Sequence, residues 1–286
     1  EEGHRMPARV LDGRAIASVV RAELRALASD YAERHGRPAG LAVICVGAQP
    51  ASDVYVRQLL REAASIGVRG SLVTLAEDIE NAALRAGIEA VNDDDETQGL
   101  LVQMPLPPQL EPRVVAEAVN PRKDVDGISM RSAGNLFLRY PSFVPATCAA
   151  VVELLDRYDI PLVGQRVTII GASNTVGKPL AFMLLARDAT ISVCHIHTRD
   201  LAHWTRQADI VIAAAGKAGL VTEQMIRPGA TVVDVGINVL PGGAIVGDVA
   251  FERVATVAGA LSPVPGGVGP LTPLMALRQM LLEPHL

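Results

Sequence analysis

Two groups of residues in this chain have the types to do chemistry, and the first also has the spacing. The first is the small-residue turn Gly171-Ala172-Ser173-Asn174-Thr175-Val176-Gly177, which follows the apolar run Arg166-Val167-Thr168-Ile169-Ile170 and opens a helical stretch. A tight turn at a helix start presents backbone N–H groups and the positive end of the helix dipole, a combination suited to a pyrophosphate. The spacing is not a full Gly-x-Gly-x-x-Gly, because Ser173 holds the second glycine position, and a strand-to-helix turn without a ligand has the same pattern. Two further predicted strand ends, Ala213 to Gly219 and Val233 to Asn238, carry Gly216, Gly236 and Ile237 where open α/β sheets receive ligands.

The second group has no common spacing and is drawn together only by the resemblance given below: Tyr55 on a predicted helix, Gln103 at a strand end, Asp126 before Gly127, and the side-chain-poor loop Pro265-Gly266-Gly267. By residue type alone, Tyr55 serves equally as core or as an aromatic platform. Asp126 is either a turn former or an acceptor-only anion for a ligand's N–H groups. Each proline-containing loop is either a plain turn or a stiff wall for a flat ligand. His195 and His197 alternate near a strand end with no third ligand at suitable spacing, so no metal is expected.

Elements that would position these residues are legible from periodicity. Ile16, Val19, Val20, Leu24 and Leu27 recur at helical spacing within 11–34, before Gly36, Pro38 and the β run 41–46. Helix 53–66, strand 70–75, helix 80–93 and strand 99–103 continue an alternation that predicts a parallel sheet covered by helices. A helix from Ala149 to Tyr158 leads into a second series, with strands ending near Gly171 and at 190–194, 209–213 and 231–235, and the last apolar stretch, Leu271 to Leu282, is helical by spacing.

Composition narrows the function classes. The chain of 286 residues is 49% hydrophobic and 20% charged, as expected of an ordinary two-domain globular protein. A net charge of -5 supplies no basic field for nucleic acid or an anionic membrane, so neither is an expected partner. Cys45, Cys148 and Cys194 lie far apart with no CxxC pattern, which points to a reducing compartment and a cytoplasmic location. The first residues lack the apolar core of a signal peptide, and Glu1 to Arg5 before Met6 read as an expression remnant.

Three longer segments carry a resemblance: Gly99-Leu100-Leu101-Val102-Gln103-Met104-Pro105-Leu106-Pro107, Lys123-Asp124-Val125-Asp126-Gly127 and Pro263-Val264-Pro265-Gly266-Gly267-Val268-Gly269-Pro270. They are similar to the folate-site signatures of the bifunctional methylenetetrahydrofolate dehydrogenase/methenyltetrahydrofolate cyclohydrolase family, and the resemblance runs from about Leu11 to Leu282. It implies two α/β domains with a cleft between them. Residues 6–145, completed by a C-terminal helix at 271–286, would bind folate, and 146–270 would form a Rossmann-like NAD(P)-binding domain. It also implies a tetrahydrofolate derivative as substrate, NAD or NADP as cofactor, and a homodimer formed through the cofactor domain.

Carried over by resemblance, Tyr55 stacks on the pterin and aminobenzoyl rings, Asp126 pairs with pterin nitrogens, and Gln103 helps position the one-carbon group. Pro265, Gly266 and Gly267 line the folate. Gly171, Ala172, Ser173, Thr175, Val176, His197, Gly216, Gly236 and Ile237 fall at cofactor positions. NADP-using members commonly have Gly-Arg-Ser at the turn and a basic or serine residue after the next strand. This chain has Ala172 and Ile196-His197, which leans toward NAD, although Arg199 and His197 remain as donors for a 2′-phosphate.

One departure bears on the chemistry: Leu59 stands where the family has its catalytic lysine. Opening the methenyl ring with water moves protons, for which lysine is a suitable acid/base group and leucine is not. Hydride transfer from the methylene carbon to a nicotinamide moves no proton through a side chain and needs mainly orientation. Arg57 and Arg61 are each two positions away, off the Leu59 face of a helix. The family's Pro-Cys-Thr-Pro is also altered, to Pro145-Ala146-Thr147-Cys148. The expectation is a methylenetetrahydrofolate dehydrogenase with cyclohydrolase activity lost or weak. The alternatives are a folate-dependent one-carbon transferase or specialised-biosynthesis paralogue, and a non-catalytic folate-binding relative.

Overall fold

The computed structural model describes residues 8–47 and 50–283, the side chains of 50–53 excepted. The segment read as an expression remnant lies outside the described residues. In chain order the elements begin with β1 (Arg9–Val10), α1 (Gly13–His35), β2 (Gly40–Val46), α2 (Pro50–Ser65), β3 (Arg69–Leu75), α3 (Asn81–Asn92), β4 (Gly99–Val102), α4 (Pro112–Ala118) and α5 (Met130–Leu138). They continue with α6 (Ala146–Arg157), β5 (Arg166–Ile170), α7 (Gly177–Leu185), β6 (Thr190–Cys194), α8 (Leu201–Gln207), β7 (Ile210–Ala213) and β8 (Thr231–Asp234). The short pair β9 (Asn238–Val239) and β10 (Ile245–Val246) precedes α9 (Phe251–Val254), β11 (Ala260–Leu261) and α10 (Thr272–Leu282).

The described residues form two compact units, Ser18–Ala146 with 273–283, and 8–17 with Thr147–Thr272. In the first, β2 is the centre of a parallel three-stranded sheet ordered β3-β2-β4. Its near-continuous apolar sequence follows from that place, since both faces are covered. Helices α2 and α3 turn regular apolar faces inward, Val56, Leu59 and Ala63 on one and Leu84, Ile88 and Val91 on the other. Helix α10 belongs to this unit: Gln279 accepts from Val144 N at 2.8 Å and donates to Val144 O at 3.0 Å.

The second unit is a six-stranded sheet ordered β1-β11-β8-β7-β5-β6 with every pairing parallel. From β5 the chain steps to β6 on one side and then crosses to β7 on the other. That reversal is the topological switch point at which doubly wound sheets bind ligands. Strand β1 pairs Arg9 with Ala260 and Val10 with Leu261, which draws the segment before α1 into this sheet. The boundary expected at residue 6 therefore differs from the observed one, because a two-residue strand leaves no periodicity to read. Among the described residues, no helix is long and apolar enough to cross a membrane.

Candidate functional site

The switch point falls between the ends of β5 and β7, where two of the sequence-predicted turns lie. Gly171 adopts φ 123°, and a Cβ there would collide with the carbonyl of Ala214 at the end of β7. A Cβ on Gly177 would strike the Gly171 carbonyl. The two glycines therefore seat α7 directly on the strand ends, with backbone and no side chains at the sheet edge. Ser173 caps the turn, its Oγ accepting from Val176 N at 3.0 Å and Gly177 N at 3.4 Å. The Cys148 thiol donates to Val176 O at 3.3 Å. Ser173 and Thr175 are exposed, Gly171, Ala172 and Val176 partly so.

Opposite this turn, Ala215, Gly216 and Lys217 are exposed, and a Cβ on Gly216 would meet nothing within 4 Å. Three of the backbone N–H groups are held from behind by the buried carboxylate of Asp248, at 2.6 Å from Ala215, 2.9 Å from Gly216 and 2.8 Å from Lys217. Asp248 is tied to a second buried carboxylate, Asp234 at the end of β8, whose Oδ1 accepts from Asp248 N at 3.0 Å and Gly236 N at 2.9 Å. Burial pushes the Asp234 carboxyl up to about 6, against three backbone N–H bonds, with the Asp248 charge adding to the rise. Gly236 is buried, whereas Ile237 and His197 are exposed. Neither aspartate carries a role legible in the sequence. The signal was Gly247-Asp248 at a strand end, which reads as an ordinary turn.

The second cluster lies in the other unit. Tyr55 and Leu59 are four residues apart on α2, one above the other on the same face. Tyr55 is half-buried, and desolvation, reinforced by the nearby Asp126 charge, drives its phenol well above the usual tyrosine range, so it stays neutral. Leu59 is fully enclosed, with 0% exposure. Asp126 is half-buried and accepts from Ala146 N at 3.0 Å through Oδ1. Burial lifts its carboxyl to about 6, opposed by that N–H and helped by the charge of Asp124. Asp124 itself is buried and structural, accepting from Ile128 N at 3.0 Å and Ser129 N at 2.8 Å.

Gln103 follows β4, its N–H donating to Ile44 O at 2.8 Å, and its side-chain amide turns onto its own backbone, Nε2 to Met104 O at 2.6 Å. The next peptide, Met104–Pro105, is cis. Lys123, within the folate-like signature, donates its ammonium to Val91 O at 3.1 Å and Asp94 O at 2.7 Å, closing the end of α3. Pro265, Gly266 and Gly267 lie in the unit that carries the six-stranded sheet. There Gly266 O accepts from Gly13 N at 2.8 Å, and Pro265 is exposed while the two glycines are buried.

A parallel sheet whose switch point is lined by a glycine turn and an open, backbone-lined loop defines an α/β protein that holds a dinucleotide. Comparison with known proteins specifies the class further. Residues 11–126 match the model of the tetrahydrofolate dehydrogenase/cyclohydrolase catalytic domain, and residues 145–284 match that of its NAD(P)-binding domain. The bifunctional protein FolD of Heliobacterium modesticaldum is 49% identical over 276 residues, 96% of each chain. The bifunctional enzyme FolD of Campylobacter jejuni superposes with a TM-score of 0.93 at 42% identity, covering 96% of this chain and 98% of that one. The Trypanosoma brucei dehydrogenase-cyclohydrolase, solved with NADP cofactor and inhibitor, gives 0.92 at 36% identity over 97% of both chains. This chain belongs to the tetrahydrofolate dehydrogenase/cyclohydrolase family.

Proposed function

We propose that the chain oxidises 5,10-methylenetetrahydrofolate to 5,10-methenyltetrahydrofolate with NAD(P), and that it hydrolyses the methenyl product slowly or not at all. The observation that carries this reading is the pairing of an intact dinucleotide edge with a fully enclosed Leu59 one turn from Tyr55. The exposed turn at Ser173–Thr175 and the open edge at Gly216 fit a dinucleotide, because a Cβ on Gly216 would meet nothing within 4 Å.

When bound, the nicotinamide supplies the hydride acceptor. The chain's own residues bind and orient. Tyr55 offers a neutral aromatic face to the pterin and aminobenzoyl rings. Asp126, ionised at neutral pH, accepts from the pterin's N–H groups. By family resemblance Gln103 would position the one-carbon group, and Pro265, Gly266 and Gly267 would line the folate. The methylene carbon gives up a hydride and the adjacent nitrogen's lone pair stabilises the resulting methenyl cation, so no protein group exchanges a proton. Ring opening by water requires such an exchange, and Leu59 has no group to perform it.

Support for NAD over NADP comes from the turn and the next strand end. Ala172 offers no guanidinium, and Ile196, at 94% exposure, puts a methyl-bearing side chain where a phosphate needs donors. By the same family reading the chain forms a homodimer through the dinucleotide domain, where edge strand β6 exposes Val193 and the turn after it exposes Ile196. Sedimentation of the purified protein tests this. A cytoplasmic location is supported by three cysteines with no disulfide among the described residues, and cell fractionation tests it.

The deciding experiment mixes the protein with 5,10-methylenetetrahydrofolate and either NAD or NADP, follows reduced nicotinamide, and separates methenyl from 10-formyl product. Reduction with methenyl accumulating is expected, faster with NAD. Absence of reduction with both dinucleotides overturns the reading, and rapid 10-formyl formation overturns its second half.

A further inference from the structure

The loop after β7 is shaped by an anion that belongs to the chain itself. Asp248 is wholly buried and spends both carboxylate oxygens on four donors: Oδ2 accepts from Ala215 N and Gly216 N, and Oδ1 from Lys217 N at 2.8 Å and Asn238 Nδ2 at 2.9 Å. Three consecutive backbone N–H groups converging on one carboxylate form the kind of concavity that elsewhere receives phosphate. Here it is filled from the interior, so these N–H groups are unavailable to a ligand and serve to fix the loop's outward face.

Asp234 fixes the fixer. Its carboxylate accepts from Asp248 N at 3.0 Å and Val249 N at 2.9 Å on one loop and from Gly236 N at 2.9 Å on the other, while its own N–H donates to Ser262 Oγ at 2.8 Å. The fit leaves no room for side chains around it. A Cβ on Gly236 would collide with the Asp248 carboxyl, and one on Gly247 with the Asp234 carboxylate. Two aspartates thus tie together the strand ends of β7, β8 and β11, two of which carry sequence-predicted dinucleotide positions.

We propose that Asp248, held by Asp234, is the positioning residue for the dinucleotide edge: it sets the backbone of Ala215–Lys217 and, through Gly236, the loop after β8, without touching the dinucleotide. The inference rests on the dinucleotide reading above. A carboxylate is required, since all four partners are donors and an amide offers only one accepting atom.

The test compares the wild-type chain with Asp248→Asn. It uses titration with NAD and NADP in the absence of folate, steady-state KM for dinucleotide and for methylenetetrahydrofolate, and amide hydrogen exchange over 214–219. Replacing bonds to a charged acceptor is expected to raise dinucleotide Kd and KM by about tenfold or more, leave the folate KM within about twofold, and speed exchange over 214–219 by a similar factor. Dinucleotide affinity and exchange both within about twofold of wild type in a folded variant would overturn the proposal, as would equal losses in both KM values, which mark general damage.

If wild type binds neither dinucleotide, the functional reading falls, and exchange over 214–219 alone decides whether Asp248 positions the loop. Should Asp248→Asn not fold, Asn238→Ala removes one donor and leaves the backbone alone. Faster exchange over 214–219, residues that Asn238 does not itself hold, supports the proposal, and unchanged exchange overturns it.

Discussion

On the proposed reading, replacing Leu59 by lysine supplies the acid/base group whose absence is expected to slow hydrolysis, and the structure sets both the gain and the cost. Position 59 shares a helical face with Tyr55, so Cβ atoms about 5–6 Å apart would carry the phenol and the new ammonium side by side. Leu59 is completely enclosed, and a lysine there loses much of its hydration. Desolvation lowers an ammonium's pKa, here toward neutrality, which is the condition under which a lysine both accepts and returns a proton. A positioned acid/base group contributes roughly 10²–10⁴-fold, so Leu59→Lys is expected to speed methenyl hydrolysis by that order.

The same burial makes the substitution destabilising. A partly desolvated charge in place of a packed side chain costs about 2–4 kcal/mol, or roughly 4–8 °C in Tm for a chain of this size. The assay follows loss of the methenyl absorbance on ring opening, with thermal unfolding measured in parallel. Leu59→Met, which keeps volume and adds no titratable group, serves as the packing control, with less than about 1.5 kcal/mol lost and no hydrolysis gained. Wild type hydrolysing methenyltetrahydrofolate as fast as a folded Leu59→Lys chain would refute the reasoning, since the leucine would then have removed nothing the reaction needs.

Three other changes give expected outcomes of different kinds. Asp126→Asn keeps the acceptor for Ala146 N but removes a carboxyl whose folded pKa, about 6, stands above its ordinary 3.8. Such an acid holds its proton more tightly folded than unfolded, so its penalty appears as pH rises from about 4 through 6. The variant should gain up to about 3 kcal/mol at pH 7.5, a gain that disappears near pH 4 in denaturant titrations, while folate binding is lost. Gly177→Ala forces a Cβ into the Gly171 carbonyl and should cost about 3 kcal/mol or more, with dinucleotide binding abolished in calorimetric titration. Ile196→Arg should lower the KM for NADP about tenfold and leave that for NAD within about twofold, as one new charge-assisted phosphate contact predicts, and an equal shift for both would remove Ile196 from cofactor choice.

What the sequence disclosed and what it withheld divide along sequence distance. Strands such as Gly40–Val46 and Ile210–Ala213 are continuous apolar runs, and the helix carrying Tyr55 and Leu59 has regular spacing, so the α/β alternation and the shared face of those two residues were legible within short windows. The two-residue strands at Arg9 and Ala260 were not, because their pairing joins segments some 250 residues apart and nothing local marks it. Lys123 shows a different limit. It lies inside a long folate-like signature, yet its ammonium closes the end of a helix through Val91 O and Asp94 O, so a motif's spelling does not distinguish a ligand-holding residue from one that holds the motif in place. Asp248 completes the contrast: its partners Ala215, Gly216 and Lys217 lie some thirty residues upstream, and a glycine–aspartate pair is locally an ordinary turn. Its importance becomes visible only when the donors around it are counted, because four donors require a carboxylate where sequence pattern alone accepts any turn-forming residue.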